Sequence, residues 1–556
     1  MSTAAAVADE ESATFPGSRS DKGTGPLAKD PPVKPSRFKL TILLTAGLLS
    51  GIVQDNTIIT TAIPRITDEF NSLNDISWYG SGYLRTSKVT TCAFQLSYGK
   101  LYNLFPIKWV FLTALGIFEL GSLVCGATPN SVGLIMGRVV AGIGSGGIFL
   151  GAILAIAAST PLETRPIFNG LLGAMYAVAS IAGPFYERMG GAFTDRVTWR
   201  LCFYINLPFG LVTAICVFFF VSVEDGRKPG FSLPLKEKAK QFDFLGLLFF
   251  IGFIVSILLA LQWGGSTYNW GNSRIIALFV LAGVLFMAFV AVQILQQDRG
   301  TVPLSVIKER TVWACSLYVF FLFGSFLVVI YYMPIWLQAI KEDSAVQSGI
   351  DILPSILATV IFSIAGGVLV SVFGYYTWTC IFSSIFAAVG AGLLSTFSPD
   401  SSSGYWIGYQ IIYGAACGLT TLPEEQVAGG TAVIVFFENF GGAIFLSVAQ
   451  NVFDNQLVQN IVAKKVPINP ATLLSEGATR IADIVDPQYL GPLKIAYNDS
   501  VTQTFYVAVA TAGISLVGSA LIPWLSVKKK NGPESEARAG EDTGTIHEMT
   551  PSTMAA

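Results

Sequence analysis

Long apolar stretches separated by short polar ones run through this chain, and their length matches a bilayer rather than the core of a soluble domain. A spanning helix needs about 20 mostly apolar residues, and fourteen runs of at least roughly 17 lie between charged or turn-rich breaks. They fall at 40–63, 77–98, 107–126, 131–155, 168–186, 201–222, 244–262, 274–295, 312–337, 351–372, 376–396, 404–422, 429–452 and 503–527. The pattern predicts an all-α integral membrane protein of about 14 transmembrane helices. Residues 1–39 and 528–556 are rich in small, polar and charged residues and are expected to be disordered tails. No apolar h-region precedes the first run, so no cleaved signal peptide is expected.

One run has a special composition. Residues 170–208 read GLLGAMYAVASIAGPFYERMGGAFTDRVTWRLCFYINLP. In water an interior Gly costs a helix roughly 1 kcal/mol against Ala, whereas in lipid small residues let two helix backbones touch. Gly170, Gly173, Ala177, Ala179, Ala182 and Gly183 supply such a face, and Pro184 removes one backbone bond and bends the segment. Two readings stand: a kinked packing helix, or a stiff pivot between two moving bundles.

Composition agrees with the patterning: of 556 residues 52% are hydrophobic and only 13% charged, too little polar surface to cover a soluble globule of this size. The basic residues then set orientation. An even number of spans puts both tails on one side, and that side carries Lys29, Lys34, Arg37, Lys39, Lys100, Lys108, Arg165, Arg227, Lys228, Lys236, Lys238, Lys240, Arg299, Lys308, Arg310 and Lys528 to Lys530. The short loops opposite carry Arg65, Arg188, Arg196, Arg200, Arg274 and Lys341. Both termini are therefore predicted cytoplasmic. The segment 453–502 falls outside as a loop, and its sequon at Asn498 lies too near the last span to expect glycosylation.

Several chemistries drop out. The only histidine, His547, lies in the C-terminal tail, which leaves no Ser-His-Asp triad, Cys-His pair or histidine metal site in the folded part. The seven cysteines are scattered singly without CxxC spacing and read as small hydrophobes. No GxxxxGK[ST] loop occurs, which argues against an ATP-driven pump within this chain. No enzyme activity, cofactor, metal or nucleic-acid partner is expected; the expected partners are the lipid bilayer, protons and a small-molecule substrate.

Charges inside spans carry the remaining information, because each needs a partner or a watery cavity. Asp55 sits in the first span and Arg138 in the fourth. A buried carboxylate facing a buried Arg has a proton affinity that depends on whether the Arg stays close, which makes a proton switch; the alternative is a static ion pair that fixes packing. Glu119 and Glu438, in the third and thirteenth spans, are further candidates that an interface would solvate.

These residues resemble the major facilitator superfamily, in particular the fungal fourteen-spanner drug:proton antiporter type that includes toxin and multidrug efflux pumps. The resemblance covers 40–208 and most of the later chain, including GGAIFLSVAQNVF at 441–453 and VDPQYLGPLKIAYNDSVTQTFYVAVA at 485–510. The first-helix motif matches Asp55, Thr57, Ala62 and Pro64; the loop motif between spans two and three matches Gly99 and Leu101, flanking Lys100, with Tyr102 at its acid position; the fourth-helix motif matches Arg138 and Gly142, with Ala141 where Gln is frequent. The resemblance implies a proton-coupling role for Arg138. The antiporter motif of the fifth helix matches Gly183 and Pro184, with Gly190 and Gly191 displaced by three extra residues.

Two more departures stand out. About four added residues place Arg85 and Lys88 inside the second span, and the chain is about ten residues short near 418–423. A central charge costs roughly 3 kcal/mol on insertion scales, and four extra residues rotate all that follows by about forty degrees. Three indels within spans suggest misplaced intron boundaries in the gene structure, or a copy drifting out of use.

The resemblance implies two six-helix bundles, 40–222 and 312–527, with a cytoplasmic linker and two inserted helices in 223–311. The expected mechanism is alternating access: a lipophilic solute enters from the cytoplasm and leaves outward while a proton returns. Asp55 is the expected titrating acid, Arg138 its partner and Gly183-Pro184 the pivot. Trp263, Tyr331, Tyr332, Trp336 and Phe437 are candidate cavity residues, each with lipid-facing or interfacial packing as the alternative. The plasma membrane is the expected location, with the vacuolar membrane as alternative. The competing functions are a proton-coupled importer of siderophores or sugars and a transport-impaired copy.

Overall fold

The computed structural model describes residues 81–160, 164–172, 200–220, 234–265, 268–420, 428–468 and 487–526. Within them helices dominate: α1 Ser81–Leu104, α2 Ile107–Ala127, α3 Ser131–Ser159, α4 Asn206–Phe220, α5 Phe244–Trp263, α6 Ser273–Gln296, α7 Arg310–Ile340, α8 Leu353–Phe373, α9 Thr377–Leu394, α10 Ser403–Gly418, α11 Ala428–Ala463 and α12 Pro487–Leu521. Residues 165–172 add a helical segment after α3. Nine described helices are long and apolar enough to cross a membrane, compatible with fourteen spans in the whole chain. The lipid requirement is visible on α6, which turns Ile276, Val280, Val284 and Met287 outward; so much exposed apolar surface calls for a bilayer. α1 is not among the nine, because Arg85, Lys88, Lys100, Thr90, Thr91 and Gln95 lower its hydropathy.

Helices α1–α4 form a first half, with α2 packed on both α3 and α4. Helices α7–α12 form a second, in which α7 lies between α11 and α12 and α8 pairs with α10. The 31-residue α7 carries Pro334 inside it and anchors the second core: Trp336 donates its indole N–H to Asn498 at 2.8 Å, Tyr332 donates to Gln450 at 3.1 Å, and Ser325 and Tyr413 share a bond of 2.9 Å. Gly441 of α11 lies directly over the Phe320 carbonyl of α7, leaving no room for a side chain.

The described residues of the segment expected as an external loop are largely helical. α11 has 36 residues and α12 has 35, each about 50 Å long at 1.5 Å per residue, so residues 453–463 and 487–502 extend the two helices beyond the expected spans. Hydropathy misses these extensions because their polar side chains bond within the helices: Ser500 to the Ala496 carbonyl at 2.6 Å and Thr502 to Asn498 at 3.0 Å. Asn460 of α11 ties to Ser500 of α12 at 2.9 Å. Asn498 itself is buried, donating to the Phe397 carbonyl as well as accepting from Trp336, which agrees with an unglycosylated sequon.

Basic residues finish many helices. Lys108 donates to Phe218 at the end of α4, Arg310 to Leu521 at the end of α12, and Arg200 to Gly126 at the end of α2. Each places positive charge on unpaired carbonyls at the negative end of a helix dipole. After α7, Lys341 donates to the Pro399 and Ser401 carbonyls at 2.8 Å and Glu342 pairs with Lys494. In that loop burial pushes the Asp343 carboxyl up to about 6, with neighbouring Asp351 adding to the effect and Lys341 opposing it.

Two outcomes follow. Gly441→Ala forces a Cβ against backbone and lowers stability by about 1–3 kcal/mol, whereas Gly392→Ala, with open space around it, does not; thermal unfolding in detergent checks the contrast. The raised Asp343 pKa means that its contribution to stability is present below about pH 4, the ordinary carboxylate range, and lost as pH rises through 6. Asp343→Asn therefore gives a small gain in melting temperature at pH 7, limited by solvent screening, and none at pH 4.

Candidate functional site

The polar residues of α1 line a seam. α1 and α3 run parallel and meet every four residues: Ser87 donates to the Arg138 carbonyl at 3.4 Å, Thr91 to the Gly142 carbonyl at 3.0 Å, and Gln95 lies beside Gly146. Glycine is required on α3 because the helices touch: a Cβ at Gly142 would fall on Thr90 and the Ser87 backbone, and one at Gly147 on the Tyr98 ring. Arg138 is 5% exposed in this seam. Further along α1, Tyr102 donates to the Gly147 carbonyl at 2.8 Å, so the aromatic that replaces the expected loop acid serves as a packing and hydrogen-bonding residue.

The two halves meet through small residues. Gly99 of α1 faces α11, where its Cβ would come 2.5 Å from the Ala432 Cβ. Gly170 faces α8: its carbonyl accepts from Ser363 at 2.7 Å, and Gly367 returns the contact against Pro166 and Ile167. Both contacts lie at the end of the bundle where α1 and α3 finish and α7 and α11 begin. Gly170, read in sequence as part of a small-residue face, thus provides close approach between the halves.

Helices α5 and α6 bridge this end. Phe250 of α5 packs on Phe289 of α6 and Phe436 of α11 with centroids 5.0 and 5.2 Å apart, while Phe250, Ile254 and Leu258 share one core with Cys92, Ala93 and Leu96 of α1. Asp243, 4% exposed, fastens both ends of the hairpin. It caps α5 through the Gly246 N–H at 2.7 Å and accepts from Gln293 at 2.7 Å, Gln296 at 2.9 Å and Thr301 at 3.2 Å. This fixes the 297–302 turn, and Lys100 of α1 donates to the Arg299 and Gly300 carbonyls there at 2.9 and 2.7 Å. Lys100, expected to meet the membrane surface, instead clasps the inserted pair at 8% exposure, because uncapped helix-end carbonyls attract an ammonium group.

Other predicted residues are placed individually. Asp55, Gly173, Gly183, Pro184, Gly190 and Gly191 lie outside the described residues, as do the side chains of Arg85 and Lys88. Leu101 packs into the core of the first half. The Glu119 carboxylate rests on Gly210 of α4, both oxygens closed off from solvent with no hydrogen-bond partner among the described residues. Tyr332 and Trp336 are fully enclosed within the second half. Tyr331, Phe437, Glu438 and Trp263 are half-buried; Phe437 stacks edge-on with Phe320 at 6.2 Å, and Trp263 with Tyr268 at 6.2 Å in the turn after α5. Sequence reasoning missed Asp243 and Gln95. Asp243 had a signal, an acid just before an apolar run where an N-cap belongs. Gln95 is fully buried, and neither amide atom has a partner among the described residues, an arrangement that costs about 1–3 kcal/mol.

Two helical halves packed through glycines, with an enclosed Arg and a polar seam in the first, define a multi-pass membrane transporter of the two-bundle kind. Residues 43–446 match the Major Facilitator Superfamily, and the chain belongs to that family. It is 60% identical to the MFS-type efflux pump elcC of Phaeosphaeria nodorum, over 80% of this chain and 81% of that one. It is 49% identical to the efflux pump roqT of Penicillium rubens, over 90% and 93%. Among solved structures, the proton:xylose symporter XylE shares the fold with a TM-score of 0.51 at 14% identity, covering 90% of this chain and 99% of that one.

The clasp has a measurable consequence. Lys100→Met removes a charged donor worth about 1.5–3 kcal/mol, so thiol labelling of an Ala432→Cys probe beneath Gly99 rises roughly tenfold relative to the same probe with Lys100 intact. An unchanged labelling rate contradicts the clasp.

Proposed function

We propose that this chain is a proton-driven exporter of lipophilic small molecules, of the fungal toxin, secondary-metabolite or drug class, working by alternating access. The observation that carries the reading is the enclosed Arg138 in the seam of a chain whose relatives at 60% and 49% identity are efflux pumps. An Arg held within a span needs an acid or a watery cavity, and Asp55 of the first apolar run is the proposed acid. While the two stay close the carboxylate remains ionised; as they part it takes a proton. Protonation at one face of the membrane and release at the other then drive exchange of the outer- and inner-open states, with solute moving against the proton.

In this reading Gly183-Pro184 bends the fifth span as a pivot, the termini face the cytoplasm and the protein resides in the plasma membrane. The end closed by Gly99, Gly170 and the Lys100 clasp is the cytoplasmic one, because it carries the excess of basic residues. Tyr331, Phe437 and Glu438 retain partial exposure and are the proposed cavity residues of the second half.

The test is export of a panel of toxic lipophilic compounds from a pump-deficient fungal cell expressing the chain. Export that collapses with a protonophore, and falls at least about tenfold in Asp55→Asn and in Arg138→Ala at equal membrane abundance, is the expected outcome. Proton-driven export retained by both variants overturns the coupling pair. Protonophore-sensitive accumulation favours an importer, and no movement of any compound marks a transport-impaired copy.

A further inference from the structure

Gln95 stands where three helices meet. On α1 it is one turn from Thr91, whose hydroxyl is spent on the Gly142 carbonyl, and one turn from Gly99, which touches Ala432 of α11. Across the seam Gly146 of α3 offers it no side chain. It lies two turns, about 12 Å, from Arg138 along the same register. Further along the seam, Tyr102 donates to the Gly147 carbonyl at 2.8 Å. The Gln95 amide is fully buried, with oxygen and nitrogen both unpaired among the described residues.

A buried amide without partners is uncommon in a finished core and calls for a specific explanation. Here the explanation lies in the position. The contact between Gly99 and Ala432 is one that must separate for the halves to open at this end, and Gln95 is on the same face one turn away. Separation uncovers an amide able to donate and accept at once, beside Gly146 and one turn from a Thr91 hydroxyl already bonded to the Gly142 carbonyl. Its natural partner is neutral and itself both donor and acceptor, which is a hydroxyl group.

We propose that Gln95 is a solute-reading residue, its amide pairing with a hydroxyl of a neutral lipophilic solute when α1 and α11 part. The inference rests on the export reading above and names the substrate class of that same pathway. A pocket built this way distinguishes a hydroxylated solute from its deoxygenated analogue, because the analogue leaves the amide unpaired.

Two neutral steroids that differ by one hydroxyl, deoxycorticosterone and progesterone, serve as probes in equilibrium binding to the purified full chain. Wild type is expected to bind deoxycorticosterone about fivefold more tightly than progesterone; Gln95→Leu erases the difference and Gln95→Asn restores part of it. Equal binding of the two steroids by wild type, or a preference that survives Gln95→Leu, overturns the proposal. In a chain freed of its seven native cysteines, Gln95→Cys is expected to react with a small methanethiosulfonate more slowly when deoxycorticosterone is present; absence of reaction in fully inserted protein means permanent burial and also overturns it. These readouts need no transport. An export reading that fails by showing no solute movement is therefore distinguishable from a failure at Gln95.

Discussion

In hydrocarbon, apolar side chains gain nothing by leaving lipid for another helix, so helices hold together only where backbones come close enough for dense packing and hydrogen bonding. This chain meets that constraint with glycine at its contact points. Gly142 and Gly147 seat α3 on α1, Gly441 seats α11 on α7, and Gly99, Gly170 and Gly367 join the halves. The contacts differ in what surrounds them. Within the second half, Trp336–Asn498, Tyr332–Gln450 and Ser325–Tyr413 bonds reinforce the glycine packing. Between the halves, Gly99 against Ala432 is a contact of small residues, and Gly170 adds the bond from Ser363. Interfaces of the first kind thus carry more side-chain bonds than those of the second.

The inserted hairpin fits between these two kinds. Phe250 commits α5 to α11, yet Lys100 reaches from α1 to the carbonyls at the end of α6, held in place by Asp243. An ammonium on helix-end carbonyls is a directional bond that water can replace, unlike an aromatic cluster. The hairpin thus packs on both halves, on α11 through Phe250 and on α1 through the core it shares with Cys92, Ala93 and Leu96, and the Lys100 bond adds a tie to the first half that water can replace. Basic residues act here also as helix caps, as Lys108, Arg200 and Arg310 do at the ends of α4, α2 and α12.

Much of the architecture was legible in the sequence because the bilayer imposes length: helices such as α2, α5, α6 and α9 lie within a few residues of their predicted spans. Motif resemblance supplied the family, which the match over 43–446 bears out. The extensions of α11 and α12 were not legible, since residues such as Ser500 and Thr502 lower hydropathy while bonding to their own helix. The role of Lys100 was hidden for another reason. A basic residue near a span end predicts a charged surface, and only three-dimensional proximity reveals that Lys100 reaches the Arg299 and Gly300 carbonyls of the turn after α6. Gly170 was legible as a packing residue, but its partner, α8, lies almost two hundred positions away, and Gln95 gave no signal beyond one amide in an apolar run.

Alternating access requires the small-residue contacts between the halves to open during each transport cycle. The backbones of Ile167 and Ile364 lie against Gly367 and Gly170 in this contact. Cysteines at these two positions, bridged by a short cleavable bifunctional thiol reagent in a chain otherwise lacking cysteine, tie the halves at that point. Export is expected to stop when the bridge forms and to return when it is cleaved. Export at an undiminished rate through fully bridged protein would contradict the claim.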